Sequence, residues 1–197
     1  MRKTKNFGKR TPVLCILFLS QLINVIMAIE TPEYRILKTE GKFQIREYDS
    51  ILIAKTRVVN DYKEATVAGF RRIANYIFGG NKKQLSIAMT APVITDVPNT
   101  EGIYEILFVM PKEHTLSSLP IPNDKEVKIE NYYLGKTVVI TFGGWATKSR
   151  TKYYKKQLEK FLRKNELVTK SDFLVAQYNS PWALPPFRKN EVMVSIK

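Results

Sequence analysis

Two periodicities alternate along this chain. From Tyr34 to Val59 apolar residues recur in the two-residue period of strands. Arg35-Ile36-Leu37 leads to a turn near Glu40-Gly41, and Phe43-Gln44-Ile45-Arg46-Glu47-Tyr48 completes a hairpin. Ile51 to Val59, rich in β-branched residues, reads as a further strand. Asp61 then offers an N-cap, with Glu64 three residues on. The period lengthens to that of a helix, which runs to about Phe78 and stops at Gly79-Gly80. Strand-like Ile87 to Met89 and Tyr104 to Met110 follow, with Thr95 to Gly102 as a hairpin loop between them. Pro111, Pro120 and Pro122 mark Glu113 to Lys125 as the irregular join between two halves.

The second half repeats the order. Val127 to Tyr133 and Lys136 to Phe142 read as a hairpin turning at Gly135. Gly143-Gly144 precede a helix from about Ala146 or Thr147 to Lys164. Phe173 to Gln177 and Glu191 to Ile196 are strands around the Pro-rich loop Pro181 to Pro186. Ile45-Arg46-Glu47-Tyr48 lines up with Ile129-Glu130-Asn131-Tyr132 at a spacing of 84, and Phe70 meets Tyr154 at the same spacing. Two β-β-α-β-β units facing each other predict an α+β fold: a distorted, mostly antiparallel eight-stranded barrel with two flanking helices.

The two helices differ on a helical wheel. On the second, Thr151, Tyr154, Leu158, Phe161 and Leu162 form one stripe, and Lys148, Arg150, Lys152, Lys155, Lys156, Lys160, Arg163 and Lys164 cover the rest. On the first, Ala65, Gly69, Ile73, Tyr76 and Ile77 form the core stripe, but Val67, Phe70, Ala74 and Phe78 form a second apolar cluster. Either a loop such as Trp182 to Phe187 covers that cluster, or it is one wall of a ligand groove.

Composition adds an address and removes some chemistry. The 197 residues fit one domain, and 44% apolar content supports a real core. Arg2, Lys3, Lys5, Lys9 and Arg10 contribute +5 of the +14 net charge, leaving +9 for the remainder. Apolar Val13 to Met27 follows, ending at the small Ala28. That order predicts a signal peptide or N-terminal anchor over residues 1–28, and an exported protein, periplasmic or secreted. Cys15 lies inside this stretch, so the domain at 29–197 carries no thiolate chemistry or disulfide.

Several short motifs occur in a fixed order over nearly all of 29–197. They are Arg46-Glu47-Tyr48, Gly69-Phe70, Tyr76-Ile77, Gly80-Asn81, Met89-Thr90-Ala91-Pro92-Val93 and Val109-Met110-Pro111. Pro120-Ile121-Pro122, Phe142-Gly143-Gly144, Tyr178-Asn179-Ser180-Pro181-Trp182 and Arg188-Lys189-Asn190-Glu191-Val192 complete the series. In these the chain resembles the SOUL heme-binding protein family. The resemblance implies a distorted barrel with two helices, and non-covalent tetrapyrrole binding against the first helix and the loop before the last strand. Carried over by position, Val67, Phe70 and Ala74 would line the groove, with Trp182, Leu184 and Phe187 opposite. Arg71, Arg188 and Lys189 are the nearest cations for heme propionates. The family shares no single axial histidine. The lone His114 sits in the join and reads as a loop residue, and Met89 reads as core. Binding by apolar contact, with weak or no protein ligation of the iron, is expected.

Two other classes compete. The duplicated unit also resembles effector-binding domains of the gyrase-inhibitor type, some of them hydrolases. The sequence has no Gly-x-Ser-x-Gly and no His-Glu-x-x-His, although Glu47, Glu105 and Glu191 lie in strands. The basic second helix suits a solvated face or loose association with an anionic membrane; no nucleic acid is expected, since no aromatics interleave with its lysines.

Overall fold

The computed structural model describes residues 29–97, 102–180 and 182–197. The signal or anchor expected over Met1 to Ala28, with Cys15, lies outside the described residues. Seven strands form one sheet: β1 (Tyr34–Glu40), β2 (Phe43–Val59), β3 (Val93–Asp96), β4 (Ile103–Val109), β5 (Lys128–Phe142), β6 (Leu174–Gln177) and β7 (Asn190–Ser195). Their order is β1-β2-β4-β3-β6-β7-β5, and a further β2–β5 pairing closes six of them into an antiparallel barrel. β1 hangs on β2 outside the ring. Helix α1 (Tyr62–Ile77) lies against β2 and β4, and α2 (Lys148–Lys164) against β5 and β7. Strand, helix, short strand and strand thus occur in that order in each half.

The described sheet has seven strands, six of them in the barrel, where an eight-stranded barrel was expected, because β2 and β5 are longer than their sequence breaks suggest. Tyr48 to Ile51 does not end a strand, since β2 pairs with β5 from Phe43 to Lys55 in one register. Gly135 does not turn a hairpin. It sits inside β5 opposite Tyr48 at φ +55, a left-handed conformation that glycine adopts without strain. Ile87 to Met89 forms no strand. Its backbone is tied down by Ile87 N–H donating to Ile77 O (2.7 Å), and the strand starts at Val93.

Local signals place both helices. The Asp61 carboxylate accepts from Lys63 N and Glu64 N to cap α1, and Thr147 caps α2 through Arg150 N. Gly79 ends α1 at φ +104. Beyond it, buried Asn81 donates to Tyr76 O and Leu85 O and accepts from Lys83 N and Leu85 N. The join at 113–125 is pinned to this end of α1 by Tyr76 Oη donating to Pro120 O (3.0 Å) and Lys82 N to Ile121 O (2.9 Å). Apolar packing falls into three clusters: one under α1, one under α2 and one inside the barrel. No described helix is long and apolar enough to cross a membrane.

Candidate functional site

The candidate site is built on α1. Its core stripe includes Gly69, where an added Cβ would stand 2.6 Å from Ile106 on β4. The helix therefore lies close on the sheet, and the next residue, Phe70, is brought onto Phe108 with ring centroids 5.2 Å apart. Phe108 pairs with Val93, and Val93 pairs on its other side with Gln177, the last residue of β6. The loop 178–189 leaves the sheet at that point. One row of paired backbone thus runs from beneath Phe70 to the root of the loop.

The apolar flank of α1 is open. Val67 is 37% exposed and Phe78 62%, while Phe70 and Ala74 are half-buried. The loop does not cover it: Trp182 is 91% exposed, Leu184 65% and Phe187 75%. Flank and loop are two apolar surfaces, both facing solvent. Arg71 is exposed on α1. Arg188 is buried in the loop, with its guanidinium 3.7 Å over the Trp145 ring, Nε donating to Ala183 O (2.8 Å) and Nη2 to Ser180 O (3.3 Å).

The loop stem is locked to the barrel interior by Glu191, which is fully buried. Arg46 grips its carboxylate with two hydrogen bonds of 2.9 and 3.0 Å. Tyr178 Oη, at the start of the loop, donates to it at 2.6 Å, and Lys189 Nζ, at the end, stands 3.4 Å away. Tyr178 N–H also donates to Lys189 O, closing the stem. Burial opposes the charge on Glu191, but the hydrogen bonds and charge of Arg46 outweigh it and hold the carboxyl below the usual range. Burial, then the Glu191 charge, push the Tyr178 phenol up. Burial also pushes Tyr48, which accepts from Arg46 at 2.9 Å, up to about 12.

The expected strand glutamates therefore divide. Glu191 is interior and paired, whereas Glu105 stands 3.7 Å from Lys55 at the other mouth of the barrel with a part-exposed side chain. Sequence reasoning named Arg46 and Glu191 but did not join them. The available signal was an arginine and a glutamate at inward positions of strands otherwise rich in Ile and Val.

The two metal candidates are not brought to the flank. His114 lines a separate cavity of about 540 Å³, together with Glu30, Ser50, Leu52, Met110 and Asn131, and none of Val67, Phe70 or Ala74 borders it. Met89 is not core, being 42% exposed. Thr90 takes the inward place next to it and donates to Val109 O. Among the described residues no cluster of three or more His, Cys, Asp or Glu could hold a metal ion.

Residues 29–195 match the family model described as SOUL heme-binding protein. The chain is 30% identical to Heme-binding protein 2 of Homo sapiens over 176 residues, 84% of this chain and 85% of that one. It is 30% identical to Heme-binding protein 1 of Mus musculus, covering 84% of this chain and 92% of the other. Among solved structures, the EcmrR C-terminal domain superposes with a TM-score of 0.61 at 12% identity, over 83% of this chain and 98% of that domain. A hydrolase from Listeria innocua does so at 0.55 and 11% identity, over 82% and 94% of the two chains. These two share the fold.

Proposed function

Since the chain belongs to the SOUL heme-binding protein family, we propose that it binds heme or a related tetrapyrrole non-covalently on the open flank of α1. The observation that carries this reading is the shelf of Phe70 on Phe108, continued by Val67, Ala74 and Phe78 and left uncovered by the loop. A flat apolar ring laid there removes apolar surface of both partners from water, worth about 25 cal/mol per Å² before association costs. Trp182, Leu184 and Phe187 supply the opposing face. Arg71 on the helix and Lys189 at the loop supply cations for the propionates, while Arg188, buried on Trp145, braces the loop. His114 lines a different cavity, so the iron takes no histidine from this chain, and recognition is of the macrocycle.

This is a binding role, in agreement with the relatives' names, and the protein acts as a carrier or buffer. The basic start, apolar centre and small Ala28 of the leader support export, with residues 1–28 removed or retained as an anchor. N-terminal sequencing of protein from its native cell tests export; a cytoplasmic chain starting at Met1 refutes it.

The binding reading is tested by absorption titration of the 29–197 domain. Hemin is expected to saturate one site, and metal-free protoporphyrin IX to bind within about tenfold of hemin, 1.4 kcal/mol. Unsaturable binding of both ligands refutes the site. Binding of hemin alone refutes the claim that the iron is unligated.

A further inference from the structure

Both tryptophans of this chain lie in one exposed patch. The geometry points to that patch as a wedge that inserts into the headgroup layer of an anionic membrane. It is formed where the approach to α2 meets the loop 178–189. Gly144 N–H donates to Pro185 O (3.2 Å), and the Arg188 guanidinium stacks on Trp145, which is still 49% exposed. Arg188 also holds two loop carbonyls, and Pro185 and Pro186 restrict the backbone. Trp182, Leu184 and Phe187 are therefore presented on a braced loop, which loses little chain entropy on burial.

Charge identifies the partner. The two segments that meet here, 143–156 and 178–190, carry the exposed cations Lys148, Arg150, Lys152 and Lys156, while Lys155 pairs with Glu159 and Lys189 with Glu191. Lys148, Lys152 and Lys156 stand exposed at four-residue steps along one line of α2, with exposed Tyr153 beside them. A second copy of a domain carrying +9 would bring cations against cations. An anionic bilayer meets both halves of the patch, its phosphates facing the lysines and its acyl boundary taking the Trp, Leu and Phe side chains. One short loop enters, so the attachment is peripheral and reversible. The loop is the one assigned above to the tetrapyrrole, but this inference rests on its exposure, bracing and charge and not on that assignment.

The test mixes the 29–197 domain with vesicles of phosphatidylcholine, with or without phosphatidylglycerol. Tryptophan emission reports on the patch alone. A blue shift and co-sedimentation are expected with the anionic vesicles only, weakening as salt rises. Replacing Trp182, Leu184 and Phe187 together by Ser should lower the partition at least about tenfold, since three apolar side chains lose their burial. Lys148→Glu with Lys152→Glu and Lys156→Glu should lower it as much or more. The replaced loop residues are exposed, and an unchanged far-ultraviolet circular dichroism spectrum confirms folding. An unshifted emission, or a loop variant that partitions like the parent, overturns the proposal. So does light scattering that finds a dimer which the loop variant dissociates, because the patch would then be an interface between copies. Hemin titration of the unmutated domain without vesicles is a separate readout: a domain that partitions onto anionic vesicles but does not bind hemin leaves the wedge standing, and one that binds hemin but not vesicles leaves the tetrapyrrole site standing.

Discussion

The two helices hold matching places on the barrel and meet it differently. Ala65, Gly69, Ile73, Tyr76 and Ile77 face the sheet from α1, and Thr151, Tyr154, Leu158, Phe161 and Leu162 from α2. At the second place of each stripe α1 has no side chain, and α2 has a ring that stacks on Phe142 at 4.2 Å. The first helix lies down on its sheet, and the second stands off on an aromatic spacer. Close docking brings the neighbouring flank of α1, led by Phe70, onto the outer sheet surface. The flank of α2 is lysine, and Lys155 reaches across to the Phe173 ring (4.9 Å). One helix thus offers a shelf for a flat apolar ligand and the other a cationic face. The strand glutamates repeat the contrast: Glu105 pairs with the β2 position Arg57 and Glu191 with the β5 position Thr141, yet only Glu191 is sealed from water.

The largest expected effect comes from the sealed glutamate. Arg46→Ala strands a buried carboxylate and should cost about 3–5 kcal/mol in denaturant unfolding. Lys55→Ala at the open mouth should cost under about 1 kcal/mol. Equal losses would erase the contrast between the mouths. The acid limb sharpens it. Glu191 is held below the ordinary carboxyl range, so its contribution is fully present above about pH 4.3 and is lost as pH falls through the lower folded value. In Arg46→Ala that stabilising contribution should be gone, and unfolding should depend less on pH below this range.

Next in size is the ligand contrast. Phe70→Glu places a carboxylate beside the bound ring and should weaken hemin by at least about 2 kcal/mol. Lys156→Glu, on the basic face of α2, should change hemin affinity less than about threefold. Similar losses at both positions would mean that hemin binds the cationic surface at large.

Gly69→Ala comes third. The new methyl collides with Ile106, and overpacking of this kind costs about 1–3 kcal/mol, seen as a lowered midpoint in thermal unfolding. Tyr154→Phe keeps the stack on Phe142 and should stay within about 0.5 kcal/mol of the parent. The smallest effect is expected at His114, which borders the other cavity. His114→Ala should leave hemin affinity within about threefold and the Soret position unchanged. A shifted Soret band would bring the imidazole back to the iron.

Both helices, the Asp61 cap and the glycine stop of α1 were legible in the sequence, because each depends on residues within a turn of one another: Asp61 with Glu64, Gly79 after Phe78. The apolar flank of α1 was legible for the same reason, since a helix converts spacing directly into a face. Strand ends were not. Gly135 looks like a turn in one dimension, and only the continuous pairing with β2 carries β5 through it. Nor could spacing say that Arg46 and Glu191, 145 residues apart, would meet, or that Met89 would yield its inward place to Thr90. Closure of the barrel decided the first, by turning Arg46 and Glu191 inward and excluding water from their ion pair, and the hydrogen bond of Thr90 to Val109 O decided the second. The openness of Trp182, Leu184 and Phe187 was decided in the same way, by Arg188 turning inward to brace the loop on Trp145 and leaving the apolar side chains outside.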